Sequence, residues 1–142
     1  FMPVYEAQAQ ALHAYGKLMA VHMDGRLNAL KQLIARTPID IVEAFHPPPM
    51  GNLPLGEALS LWADKAVWLG YPGSVYALGP DATRQHALDL LREAIPGERL
   101  VFEMSTENLV SNENLLALTS VLEGAELPLN PAQIDQLERR LS

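Results

Sequence analysis

Apolar positions along the chain fall into two alternating patterns. Short, mostly apolar runs at residues 18–23, 39–45, 66–70 and 99–104 read as strands, the first of them apolar on both faces. Each is followed by a stretch in which apolar residues recur at helical intervals. Four strand-then-helix repeats without a low-complexity linker are the serial βα unit of a parallel sheet, so an α/β fold is expected, as one domain over residues 1–142.

The helical stretches can be placed by their stripes and end signals. Residues 3–17 carry Val4, Ala7, Ala11, Leu12 and Tyr15 at helical spacing, with Gly16 as a stop, which predicts an amphipathic helix ahead of the first strand. Asp24-Gly25 turns the first strand into a helix with Leu27, Leu30, Leu33 and Ile34 on one side. The second strand runs into His46-Pro47-Pro48-Pro49-Met50-Gly51, where three prolines forbid a helix and favour an extended loop. A helix over 55–63 then buries Leu55, Leu59 and Trp62.

Tyr71-Pro72-Gly73-Ser74 ends the third strand, and a helix over 81–95 starts at an N-capping Asp81 and stops before Pro96-Gly97. The helix over 112–123 is expected to turn Leu115, Leu116, Thr119 and Leu122 inward. Asn130-Pro131-Ala132-Gln133 supplies the N-cap, N1 proline and N3 glutamine of a last helix carrying Ile134, Leu137 and Leu141.

Composition narrows the class. With 49% apolar and 19% charged residues the chain can bury a core. No apolar run approaches the ~20 residues of a membrane-spanning helix, and no basic-then-apolar leader opens the chain, so a soluble, cytoplasmic protein is expected. The absence of cysteine excludes disulfides, iron–sulfur clusters and thiolate zinc sites within the chain, leaving His, Asp and Glu as the metal ligands on offer. A net charge of −7 and ten scattered basic residues argue against a nucleic-acid partner.

Ligands of parallel βα proteins bind at the carboxyl ends of the strands. Those ends read His22-Met23-Asp24-Gly25, Glu43-Ala44-Phe45-His46, Tyr71-Pro72-Gly73-Ser74 and Glu103-Met104-Ser105. His22 alone fits a hydrogen-bonded rim histidine as well as a ligand, and Asp24 before Gly25 fits a tight turn as well as ligation or proton transfer. Glu43 and Glu103 end otherwise apolar strands, where an unpaired carboxylate is costly to desolvate, so both are functional candidates. Phe45, His46, Tyr71 and Gly73 stand where a substrate would be contacted. His46 reads as solvent-exposed, and His13 and His86 as helix-surface residues.

His22-Met23-Asp24-Gly25 with its following helix, Ile39-Asp40-Ile41-Val42-Glu43-Ala44-Phe45, the Pro47–Gly51 loop and Gly70-Tyr71-Pro72-Gly73 together resemble the C-terminal half of proteins of the uroporphyrinogen decarboxylase superfamily, over roughly residues 1–123. The resemblance implies the C-terminal half of a (β/α)8 TIM barrel, with the other half on an N-terminal segment or supplied by a homodimer.

In the superfamily's cobalamin-dependent methyltransferase branch, a His-x-Cys-Gly motif at the position of His22–Gly25 provides two zinc ligands and a later cysteine a third. That zinc activates a thiol to accept a methyl group from a corrinoid. Here His22 is kept, Asp24 stands for the first cysteine, and Phe102-Glu103-Met104-Ser105 covers the region of the second.

The resemblance therefore implies a methyltransferase-like enzyme with His22, Asp24 and Glu103 on zinc and Glu43 behind them or moving a proton, with a corrinoid protein as partner. The decarboxylase branch implies instead a cofactor-free decarboxylase or lyase acting on a carboxylated, tetrapyrrole-like substrate, with Asp24 or Glu43 as acid/base and His22 stabilising charge. A non-catalytic half-barrel assembly module is the third expectation.

Overall fold

Val21, Val42 and Val67 lie side by side on three neighbouring strands, and that row sets the register of the sheet. In the computed structural model, which describes residues 1–104 and 110–141, the strands are β1 (Ala20–His22), β2 (Ile41–Phe45), β3 (Ala66–Tyr71) and β4 (Leu100–Met104). They form one all-parallel sheet in the order β1-β2-β3-β4. The strands occupy the predicted places, with β1 shortened to three residues.

The strands are not covered equally on both faces. Val42, Val67 and Leu69 are fully buried, whereas Ala20, Ile41, Glu43, Ala66 and Trp68, on the alternate positions, stay partly open to solvent. Parallel βαβ connections are right-handed, so the two crossovers β1–β2 and β2–β3 put α2 (Lys31–Ala35) and α3 (Leu55–Leu61) on one face, where they touch each other.

A bulge interrupts β2. Val42 pairs with Val67, but the next register pair is Phe45 with Leu69, so β2 spends three steps where β3 spends two. Ala44 takes up the extra residue at φ +57°, the left-handed region. Strict alternation would put Phe45 beside Ile41 and Glu43 on the open face. The bulge turns it into the core, edge-on to Trp62 with ring centroids 5.6 Å apart.

Around the sheet the helical stripes are only partly as expected. Leu55, Leu59 and Trp62 are buried, as read from their spacing. In α1 (Met2–His13) the buried residue is Ala9, while Val4, Leu12 and Tyr15 are exposed, Tyr15 at 83%. The stretch after Asp24-Gly25 breaks into a 3-10 turn (Leu27–Ala29) and α2, and the break rotates Leu30 and Leu33 to the surface while Leu27 and Ile34 stay inside.

Arg99 closes the lower end of α3. Its Nη1 donates to the carbonyls of Trp62 and Lys65, and its Nη2 to that of Leu59, each at 2.8 Å. Leu59 lies in the last turn of α3 and Trp62 and Lys65 just beyond it, at the helix end where a cation is favoured; the Trp62 carbonyl also accepts from the Lys65 amide. Lys65 is itself buried, and its ammonium donates to the Thr37 carbonyl at 2.8 Å and to Asp64 at 3.1 Å.

The chain's contacts divide into two compact units, Phe1–Tyr71 with Arg99–Glu103, and Pro72–Glu98 with Met104–Ser142. The second unit holds α4 (Gly73–Tyr76), α5 (Pro80–Ala94), α6 (Asn112–Gly124) and α7 (Pro131–Leu141). α5 starts one residue earlier than read, with Gly79 at the N-cap and Asp81 in the first turn. α6 buries Asn114, Ala117, Leu118 and Val121, which corrects the expected inward face: Leu116 is 68% exposed.

At α7 the capping box is present in full, since Asn130 Oδ1 accepts from the Gln133 amide and Gln133 Oε1 from the Asn130 amide, both at 3.0 Å. Arg92 ties α5 to α7 through Glu138 at 2.7 Å and Asp135 at 3.4 Å. Among the described residues no helix is long and apolar enough to cross a membrane.

Candidate functional site

His22 ends β1, and Glu43 is level with it on β2, both on the open face. His22 Nδ1 lies 2.6 Å from Glu43 Oε2. A carboxylate only accepts, so Nδ1 carries the proton and Nε2 is left without a hydrogen bond among the described residues. Nε2 stands 3.9 Å from Asp24 Oδ2, beyond a hydrogen bond but within ionic reach. Gly25, at φ +81°, permits the sharp turn directly after Asp24.

Charge is concentrated here. The hydrogen bond to Glu43 and then the charge of that carboxylate raise the His22 pKa above its ordinary value of 6.5; slight desolvation opposes this, and Asp24 and Glu103 add to the rise. Glu103, on β4, thus acts on His22 from the far side of two intervening strands. Its Oε2 is buried and has no hydrogen-bond partner among the described residues. The imidazole is 66% exposed and the Glu43 carboxylate 21%, so the pair has one wet and one sheltered end.

His46 is not the exposed loop residue the proline run suggested. Its Nδ1–H donates to the carbonyl of Ala44 at 2.8 Å, and its ring lies over Gly70 of β3, where a Cβ would collide with the imidazole. Phe45 and Tyr71, expected at the substrate, are fully buried and belong to the core, Phe45 because of the bulge and Tyr71 because it shares the buried face with Leu69. Gly73 opens the short α4 in the second unit. Ser105 lies outside the described residues.

The structure therefore brings His22, Asp24 and Glu43 together at the ends of β1 and β2, with Glu103 within electrostatic reach. Among the described residues no three His, Asp or Glu side chains stand as a ready-made metal cage. Sequence reasoning missed the His46 anchor and the His13–Asp40 pair, in which His13 Nε2 lies 2.7 Å from Asp40 Oδ2. It also took His86 as a surface residue, whereas burial pulls its pKa down. A histidine two residues after a strand and a glycine inside the next strand were the available signals for His46. The chain matches no protein-family model, no curated protein and no solved structure.

Proposed function

We propose that this chain supplies the C-terminal half of a (β/α)8 barrel of the uroporphyrinogen decarboxylase kind, and that its strand-end site takes a divalent cation in a methyltransferase-like reaction on a corrinoid- or thiol-linked methyl group. The observation that carries the reading is the 2.6 Å bond from His22 Nδ1 to Glu43, which leaves Nε2 free beside Asp24. Metal-binding histidines characteristically donate their second ring N–H in this way, because the acceptor fixes the tautomer and strengthens the ligand.

The fold supports the barrel half of the reading. Parallel strands in the order 1-2-3-4 wind in a single direction, whereas a doubly wound sheet reverses its order at a switch point. The open face bearing Ala20, Ile41, Ala66 and Trp68 corresponds to the interior of a closed barrel. The free edges of β1 and β4 call for a facing half, from a second copy or a separate segment.

Electrostatics supports the cation. Asp24, Glu43 and Glu103 outnumber the one imidazole they act on, so the site repels an anion and attracts a positive ion. The donors fit as types: imidazole nitrogen and carboxylate oxygens suit zinc or a harder divalent ion, with further positions left to substrate or solvent. When bound, such an ion would act as a Lewis acid that favours the thiolate of a thiol substrate. Glu43 orients His22, and Asp24 and Glu103 supply negative charge.

Elemental analysis of the purified protein beside a His22→Ala variant tests this reading. Stoichiometric divalent metal that disappears in the variant is expected, and a metal-free parent protein overturns it.

The raised pKa of His22 favours a second reading, cofactor-free acid–base chemistry. There the imidazolium stabilises developing negative charge, and Glu43 or Asp24 moves the proton in a decarboxylase or lyase. Activity that survives strong chelation but is lost on replacing Asp24 would select it.

A further inference from the structure

We infer that β4 of a second copy of this chain docks as the next parallel strand in the cleft between α1 and the free edge of β1. The inference rests on the half-barrel reading, commits the facing half to a second copy, and names the backbone groups that receive it.

The cleft holds about 670 Å3, walled by Tyr5, Gln8 and Leu12 of α1 and by Met19, Ala20, Val21 and His22. Successive side chains of a strand point to opposite faces, so four consecutive residues line one cleft where it runs along the strand's edge. The pairing with β2 decides which backbone groups face it. The Met19 carbonyl accepts from the Ile41 amide and the Met23 amide donates to the Glu43 carbonyl, so Met19, Val21 and Met23 face β2. The N–H and C=O groups of Ala20 and His22 therefore point into the cleft, on the side where no strand lies among the described residues. Alternating donors and acceptors along a sheet edge are matched by another extended backbone.

β4 carries the other edge. The Val67 amide donates to the Arg99 carbonyl, so Arg99, Val101 and Glu103 face β3, and the backbone groups of Leu100 and Phe102 face outward. Burial is short on the same two strands. β2 and β3 each bury residues completely, whereas β1 and β4 bury none: Ala20 is exposed, Val21, Leu100 and Phe102 are half-buried, and Val101 is 47% exposed. The open face is apolar toward the amino ends of the strands, with Ala20, Ile41, Ala66 and Trp68, and Val101 joins it because it is level with Trp68. A sheet face built to meet water carries polar residues in those rows.

A two-fold pair of this chain answers both deficits at once. Its contact is self-complementary: β1 of each copy meets β4 of the other, so both edges of each sheet are paired and the two open faces enclose one core. A single peptide strand would pair one edge and leave the other wet together with the apolar face. Four strands from each copy, wound in one direction, make the eight of a closed barrel whose interior side chains can fill.

Sedimentation of the purified chain gives its oligomeric state, and amide hydrogen exchange followed by NMR reads the edges. The inference expects a dimer in which the amides of Ala20, His22, Leu100 and Phe102 exchange at least about 10-fold more slowly than in the chain diluted to monomer. Ala20→Pro removes an outward donor and no bond to β2, so it should keep the circular dichroism of the parent while weakening the dimer at least about 10-fold. Undiminished dimerisation of that variant overturns the inference. A monomer with the four amides protected also overturns it and leaves the barrel reading standing, since something other than a second copy then covers the edges. A monomer in which they exchange freely overturns it and leaves the barrel reading to a separate facing segment. A dimer in which they exchange freely overturns both, because the facing half is then present and unused. The exchange is read on the unaltered chain, so misfolding of the variant cannot imitate the expected result.

Discussion

His22 Nδ1 sits 2.6 Å from a carboxylate oxygen of Glu43, and the two residues are level on adjacent parallel strands. The pair gives a pH-dependent contribution to folding. The His22 pKa is raised above 6.5 in the folded chain, chiefly by that bond. A raised pKa means that the folded state holds the proton more tightly, so the contribution is fully present below the unfolded value and fades as pH rises through the folded one. Denaturation of the parent and His22→Gln proteins should therefore differ most below the ordinary value of 6.5, and the difference should shrink as pH rises above it. A difference independent of pH would sink this account. Glu43→Gln should bring the His22 titration midpoint back toward its ordinary value.

Arg99 is a structural residue, despite lying at the start of a strand whose far end carries Glu103. Its guanidinium satisfies three backbone carbonyls around the end of α3. A lysine there cannot form the planar fork that reaches all of them. Arg99→Met should destabilise the chain by about 2–3 kcal/mol, and Arg99→Lys by somewhat less, because sheltered carbonyls lose charged donors. Urea denaturation checks this; parent-like stability for Arg99→Met would contradict it.

What could be read from the sequence was what neighbouring residues decide. The capping box of α7 follows from Asn130, Pro131 and Gln133 alone, and it is present. The four strands follow from apolar runs too short for helices. The phase of α6 could not be read, because that helix is apolar on more than one side: Leu115, Leu116 and Leu122 compete with Ala117, Leu118 and Val121, and only packing chooses.

The site was legible as far as it depends on strand ends, which gave His22, Asp24, Glu43 and Glu103. It was illegible where the backbone departs from regularity. The bulge moves Phe45 into the core, yet the residue that absorbs it is alanine, which carries no mark of a left-handed turn. The His13–Asp40 pair spans 27 residues and has no local signature.

Asp40 carries its own prediction. Burial alone would push its carboxyl up, but the Met19 amide at 2.7 Å and the His13 ring outweigh it and hold the pKa below the ordinary 3.8. Its contribution is present above the unfolded value and lost as pH falls through the folded one. Asp40→Ala strips the acceptor from the Met19 amide and should cost about 1–2 kcal/mol at neutral pH. Asp40→Asn keeps an acceptor and loses only a partly exposed ion pair, so it should cost well under half as much. Equal losses in the two variants would mean that the charge, and not the amide bond, does the holding.

Ala44 separates the backbone's demand from the side chain's. It is buried, and its φ of +57° is tolerated by glycine, costs alanine roughly 1 kcal/mol, and is a severe outlier for a β-branched residue. Ala44→Gly relieves that strain while giving up one buried methyl and adding chain entropy, so its stability should stay within about 1 kcal/mol of the parent. Ala44→Val must either abandon the left-handed conformation or overpack the core, and should lose at least about 2 kcal/mol. It should also release the His46 ring, since the carbonyl that anchors it belongs to this residue. Thermal denaturation together with the His46 ring-nitrogen shifts reads both effects, and a valine variant that keeps both stability and the His46 tautomer would show that the bulge does not aim that ring.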